Sequence, residues 1–278
     1  MVPPGAGEPP GRPLTGAGVP APRIAFREVR KTFATRAGEQ VEALGGVSFE
    51  VNPNEFVTIV GPSGCGKSTL LKLLAGVIAT SAGEILLDGR RVAGPQLDLG
   101  MVFQSPVLLR WKNVLDNVLF PAVILGLDRQ EAHERGLALL RLVGLQGFER
   151  KYPRELSGGM QQRVAICRAL LFRPSILLMD EPFGALDAMT REELSVELLR
   201  IWQEEVKTVL FVTHSIPEAV LLGHRVVVIT RRPGRVAAVV TVDLPRPRDL
   251  AMTTRPDFQT YVAAIRRQIG ASTGEDPP

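Results

Sequence analysis

The chain has 278 residues, enough for one large domain or two modest ones, and its 45% hydrophobic and 22% charged residues fit a globular protein with a sizeable core. A net charge of +4 with scattered Lys and Arg lacks the clustered basic footprint of a nucleic-acid binder, so no nucleic-acid partner is expected. No apolar run approaches the ~18 residues needed to span a bilayer, and no basic-then-apolar leader opens the sequence. A cytoplasmic protein is expected, with any membrane association made through a partner.

Residues 1–22 are dominated by Pro, Gly and Ala, have little to bury, and read as a disordered tail. The segment Glu55–Val60 (EFVTIV) is a short apolar, β-rich run ending at a glycine, as expected of a buried strand. Directly after it comes GPSGCGKST, comprising Gly61, Pro62, Ser63, Gly64, Cys65, Gly66, Lys67, Ser68 and Thr69. It fits G-x-x-x-x-G-K-[ST], in which backbone N–H groups curl around phosphates, a lysine adds a point charge and a hydroxyl can ligate Mg²⁺. The following LLKLLAGVI reads as a helix packed on the sheet. Cys65 and Cys167 stand far apart in no metal-ligand spacing, so neither a disulfide nor a metal centre is expected, and Cys65 reads as a small loop residue.

Roughly residues 105–165 are helix-like and short of strand signals, which suggests a helical subdomain inserted into an α/β core. Asp128 with Glu131 opens one helix there and Gly144 ends it. LSGGMQQR (Leu156–Arg163) places a serine and two glycines at a helix start, a second anion-seeking element in the same chain. SILLMDEP (Ser175–Pro182) buries a strand and leaves Asp180 at its end to hold Mg²⁺, with Glu181 beside it as a candidate general base. TVLFVTH repeats the strand pattern and ends at His214. Thr190 with Glu193, and Ser215 with Glu218, have capping-box spacing. His133 and His224 read as structural. RVVVIT and RVAAVVTV flank RRPG as a β-hairpin.

GPSGCGKST, Gln104 in MVFQ, LSGGMQQR, LLMDEP, GALD and His214 in VTHS occur in the order seen in ABC transporter ATPases, and the chain resembles that family from about Ile24 to Val240. The resemblance implies an α/β fold: a P-loop ABC cassette with a RecA-like α/β core, an antiparallel β-subdomain and an inserted helical subdomain. It divides the chain into the 1–22 tail, an ATP-binding domain over 23–243 and a C-terminal extension over 244–278 with a short disordered end. It implies ATP and Mg²⁺ as ligands, with Phe33 stacked on adenine and Val41 near it. Gln104 and His214 would join Glu181 at the attacking water, and Ser68, Gln104 and Asp180 would serve the metal. Ser157, Gly158, Gly159 and Asp187 would act in trans, facing a nucleotide on a second copy of the chain. Gln161 and Gln162 would add contacts to ribose or backbone.

The stretch LLRWKNVLDNV, the FGALDAMTRE segment and the tail LPRPRDLAMTTRPDFQTYVAAIRRQI resemble most the nitrate/sulfonate/taurine importers. In that group Val107, Leu108, Leu109, Arg110 and Trp111 would lie where the cassette docks a transmembrane permease, although Arg110 stands where proline is usual. The resemblance further implies an indirect partnership with a periplasmic or lipid-anchored solute-binding protein. It places the chain peripherally on the cytoplasmic face of a bacterial inner membrane.

Overall fold

The computed structural model describes residues 21–35, 38–184 and 186–273. The strands are β1 (Ile24–Ala34), β2 (Gln40–Val51), β3 (Phe56–Val60), β4 (Ala82–Leu87), β5 (Arg90–Arg91), β6 (Leu99–Val102), β7 (Ile176–Asp180), β8 (Thr208–Val212), β9 (Arg225–Ile229) and β10 (Val236–Thr241). The α-helices are α1 (Lys67–Leu74), α2 (Val114–Leu125), α3 (Arg129–Leu142), α4 (Gly158–Leu170), α5 (Ala188–Glu204), α6 (Ile216–Leu222) and α7 (Pro256–Thr273).

β3, β7 and β8 are buried at every position. Their continuous apolar runs mark strands covered on both faces, which parallel sheets require. They form the middle of a six-stranded sheet ordered β10-β9-β3-β8-β7-β6. The five strands β9-β3-β8-β7-β6 run parallel, and β10 closes one edge antiparallel to β9. The carboxyl ends of five strands therefore point to one rim. Open α/β sheets bind ligands along such a rim.

A second, antiparallel sheet is ordered β2-β1-β4-β5. Its inner face, including Phe26, Val47 and Ile85, packs in one core with Leu70, Leu71 and Leu74 of α1 and with Val57 and Ile59 of β3. α1 stops at Leu74, earlier than the LLKLLAGVI run suggests, because Gly76 turns the chain at φ +71° directly against the Gly94 carbonyl.

Between β6 and β7 lie α2, α3, a 3₁₀ turn at Pro153–Glu155, and α4. Asn113 caps α2, Asp128 caps α3 and Ser157 caps α4, each accepting a backbone N–H three residues on. Such caps stabilise a helix end by about 1 kcal/mol each. Gly144, at φ +70°, follows the last turn of α3 as expected. Arg135 of α3 bonds the Leu170 and Leu171 carbonyls at the end of α4, and its fork grips Glu205 at 2.7 and 2.9 Å. α4 belongs to both parts: its start faces outward, while Val164, Cys167 and Leu170 are buried in the main core.

The chain after β10 is fastened by two arginines. Arg248 is buried and donates to the carbonyls of Val220, Leu221, Gly223, Val242 and Leu244, so it caps the C-terminal end of α6. Arg246 bonds the Leu222 carbonyl and lies over the Trp202 ring. α7 then packs on α6 and the β9–β10 edge through Phe258, Val262 and Ile265. It runs through Thr273, so the first residues of ASTGEDPP, expected to be disordered, are helical. The tail expected over 1–22 lies outside the described residues except for its last two. No helix among the described residues is long and apolar enough to cross a membrane.

Candidate nucleotide site

The loop after β3 sets the site. Gly66, at φ +101°, caps α1 in a conformation that strains any L side chain. A Cβ there would also lie 2.6 Å from Leu44 Cδ2, so the position needs glycine twice over. The loop delivers Lys67 and Ser68 at the first turn of α1, where the positive end of the helix dipole favours anions. Lys67 Nζ curls back to the carbonyls of Gly61 (2.9 Å) and Pro62 (3.1 Å) and stands 3.6 Å from Glu181 Oε1.

The other strand ends supply its neighbours. Asp180 closes β7 and accepts from Ser68 Oγ at 2.8 Å. Burial pushes its carboxyl above the usual aspartate range, Glu181 adds to the rise, and the Ser68 hydrogen bond opposes it. Glu181 follows at φ +43°, a left-handed conformation that few non-glycine residues adopt. Its backbone N–H donates to the Val212 carbonyl of β8 at 3.0 Å, which holds the turn to the neighbouring strand. Gln104, two residues past β6, donates to Glu181 Oε2 at 3.4 Å, and His214 Nδ1, two residues past β8, lies 3.6 Å from the same oxygen. One carboxylate thus meets a lysine, an amide and an imidazole from three further strand ends.

These groups border a cleft of about 540 Å³. Ser63 through Thr69, Gln104 and Glu181 line its phosphate-loop end, and Phe33, Thr35, Val41 and Ala43 line the other. Phe33 and Val41 are direct cross-strand partners in the β1–β2 pair. Phe33 keeps 40% of its surface exposed, and Lys31 Nζ sits 5.0 Å from its ring centroid. An apolar platform beside an anion-binding loop suits an aromatic base carrying phosphates. The oxygen pair of Ser68 and Asp180 suits Mg²⁺, which takes one or two protein oxygens and completes its shell with phosphate and water. Among the described residues no group of three or more His, Cys, Asp and Glu could hold a metal unaided. Burial raises the Cys65 thiol, against the pull of Lys67, which keeps it protonated and consistent with a packing role.

The structure does not bring Ser157, Gly158, Gly159 and Asp187 to this cleft. They form a separate place where two helix starts meet: Ser157 caps α4 and Asp187 caps α5. A Cβ on Gly159 would lie 3.1 Å from Thr190 Cγ2, so the two starts are in contact. Thr190 is not the cap that its spacing with Glu193 suggests; its N–H and hydroxyl both donate to Asp187, at 3.0 and 2.7 Å. Gln162 is buried and donates to the Phe103 carbonyl, while Gln161 donates to Pro153 and Leu156, so both serve the chain's own backbone and neither faces the cleft. His224 is structural: burial lowers its pKa to about 4, and its neutral Nδ1 accepts from the Phe56 N–H at 3.0 Å. His133 is exposed on α3.

Of the apolar stretch after Gln104, Trp111 and Val107 are 74% and 60% exposed, whereas Leu108 packs on the core. Sequence reasoning missed what shapes this loop. Asn117, fully buried on α2, bonds both backbone groups of Leu109 and the carbonyls of Lys112 and Asn113, and Arg168 of α4 holds the Pro106 and Val107 carbonyls. It also missed Arg232, which lines the cleft from the β9–β10 turn.

Known proteins resemble this chain. The sequence profile described as ABC transporter matches residues 44–184. TauB of Rhizobium johnstonii, a taurine import ATP-binding protein, is 53% identical over 77% of this chain and 82% of its own. SsuB of Bacillus cereus, an aliphatic sulfonates import ATP-binding protein, is 44% identical over 81% of this chain and 88% of its own. An uncharacterized ABC transporter ATP-binding protein of Methanocaldococcus jannaschii, MJ0412, is 55% identical over 76% of this chain and 79% of its own. Among solved structures, the ATP-binding cassette MJ0796, a dimer in a post-hydrolysis state with ADP and Pi, superposes with a TM-score of 0.71 at 33% identity, covering 80% of this chain and all of that one. With a profile match over half of its length and relatives 44–55% identical over most of both chains, the chain belongs to the ABC transporter family.

Proposed function

We propose that this chain is the ATP-binding, ATP-hydrolysing subunit of an importer for a small solute. The observation that carries the reading is the convergence of Lys67, Gln104, Asp180, Glu181 and His214 from four strand ends onto one phosphate loop. In this reading Phe33 stacks on adenine, the loop N–H groups and Lys67 hold the phosphates, and Ser68, Asp180 and Gln104 hold Mg²⁺. The metal supplies charge that offsets the triphosphate and orients it. Glu181 accepts the proton of the attacking water, and Gln104 and His214 fix its carboxylate in position.

Ser157, Gly158, Gly159 and Asp187 stand apart from that cleft and present two helix starts outward. This supports a head-to-tail dimer in which each copy's α4 start faces the γ-phosphate held by the other. MJ0796 is described as a dimeric bacterial ABC transporter cassette. The exposed Trp111, with Val107 and Arg110, serves as the docking surface for a transmembrane permease, and in this reading the chain works peripherally at the cytoplasmic face of a bacterial inner membrane. The names of TauB and SsuB support a sulfonate- or taurine-like cargo delivered by a solute-binding protein.

Glu181→Gln should keep ATP binding, lose most turnover and trap an ATP-bound dimer. Steady-state hydrolysis at the parent rate would remove Glu181 as the base. Mixing a Ser157-disrupted chain with a Lys67-disrupted chain should restore one intact composite site per heterodimer. A mixture with no activity above the two separate variants would refute the trans arrangement.

A further inference from the structure

We propose that Arg232 is a second cationic contact for the phosphate chain of the nucleotide held by its own subunit, a role resting on the cleft being the ATP site. Five parallel strands end at this rim. Four supply the phosphate loop, Gln104, Asp180–Glu181 and His214; the fifth, β9, ends at Ile229, and Arg232 follows three residues later. Its side chain lines the same cleft.

The turn that carries it is locked in place. The Gly234 N–H donates to the Ala43 carbonyl and the Gly234 carbonyl accepts from the Gly45 N–H, both at 3.0 Å, and Thr230 is tied across the turn to Arg235. A Cβ on Gly234 would lie 2.1 Å from the Cys65 carbonyl oxygen, so the turn's backbone presses directly on the phosphate loop. Arg232 therefore reaches between the end of the cleft formed by Ala43 and the end formed by Gly64. Its Nε and Nη2 donate to the Gly64 carbonyl at 3.2 and 3.1 Å.

That anchoring orients the guanidinium without cancelling its charge, because a carbonyl accepts hydrogen bonds but carries no net charge. Lys67, by contrast, already faces the Glu181 carboxylate. A guanidinium has five N–H donors in a fixed fork that matches phosphate oxygens, and two of them engage Gly64. The remaining donors belong to a guanidinium that sits against Gly64 of the phosphate loop and lines the cleft. A partly exposed charge in a cleft of this kind adds to the local field that gathers anions.

The test is equilibrium binding of ATP, ADP and adenosine to the full chain, by competition against a fluorescent ADP analogue, for Arg232→Gln, Arg232→Lys and Lys67→Ala. Arg232→Gln keeps a donor for Gly64 but loses the charge; it should weaken ATP and ADP by about tenfold, or about 1.4 kcal/mol, and leave adenosine within about twofold. Arg232→Lys keeps the charge without the fork and should bind ATP within about threefold of the parent. Parent-like ATP affinity in Arg232→Gln overturns the proposal, as does an equal loss for adenosine, which would mean that Arg232 only shapes the loop. Lys67→Ala separates the two readings: if it too leaves ATP binding unchanged, the cleft is not the nucleotide site, whereas if it alone weakens binding, only the role of Arg232 falls.

Discussion

Glu218 ties the stability of the protein to pH through the helix that follows His214. It lies in the first turn of α6, immediately after the Ser215 cap that follows His214, and it is only 7% exposed. One of its oxygens, Oε1, has no hydrogen-bond partner. Burial raises its pKa from 4.5 to about 7, with Glu181 adding to the rise and Thr213, Arg191 and Ser195 opposing it. Because the folded pKa is raised, the stability it contributes is complete below pH 4.5 and is lost as pH climbs through 7. Linkage over that window makes the loss about 2.5 kcal/mol greater at pH 8 than at pH 5. Glu218→Gln keeps the shape and removes the titration, so the stability of the variant relative to the parent should grow by about that amount between the two pH values. Urea unfolding of both proteins at pH 5, 6, 7 and 8 measures it, and any fixed cost of the amide cancels in the comparison. Thermal melts should diverge by about 5–10 °C over the same range. A difference that stays flat with pH, or narrows, would show that Glu218 is solvated in the folded protein and would refute the argument from burial.

Other substitutions probe the parts around the site. Arg248→Ala strips five carbonyls at the end of α6 and between β10 and α7 of their donor and should destabilise the protein by about 2 kcal/mol or more in urea unfolding. Arg248→Lys should recover only part of that, since a single ammonium cannot replace the fork; full recovery would show that charge alone matters. Trp111→Ala should leave ATP affinity of the isolated chain intact and reduce solute uptake by the assembled transporter several-fold, because the residue is exposed and does not line the cleft. Unchanged uptake would remove Trp111 from the docking surface.

The elements most legible in the sequence are those whose signals are local. β3, β7 and β8 announce themselves because strands buried on both faces must be apolar throughout. The caps at Asp128, Ser157 and Ser215 were visible because a capping side chain reaches only two or three residues along its own chain. Thr190 misled for the same reason. Asp187, three residues earlier, takes the cap position and accepts from Thr190's own N–H, which leaves Thr190 inside the first turn as a donor. Gln161 and Gln162 show the opposite limit: whether an amide meets a ligand or its own backbone depends on which way the helix is turned against its neighbours.

The sequence by itself therefore determined the phosphate loop, the acidic pair after β7 and their order along the chain. Those features are short stretches whose chemistry follows from residue type and spacing. The family resemblance implied that Gln104 and His214 join Glu181, but only the tertiary structure added Lys67 to that carboxylate and brought the Ser157 and Asp187 helix starts together away from the cleft. It alone turned the RRPG hairpin, an ordinary turn in the sequence, so that Arg232 reaches Gly64, 168 residues distant along the chain. The physical reason is that sheet order sets these contacts. β9 and β8 flank β3 although they lie far from it in sequence, and no local signal records which strands become neighbours.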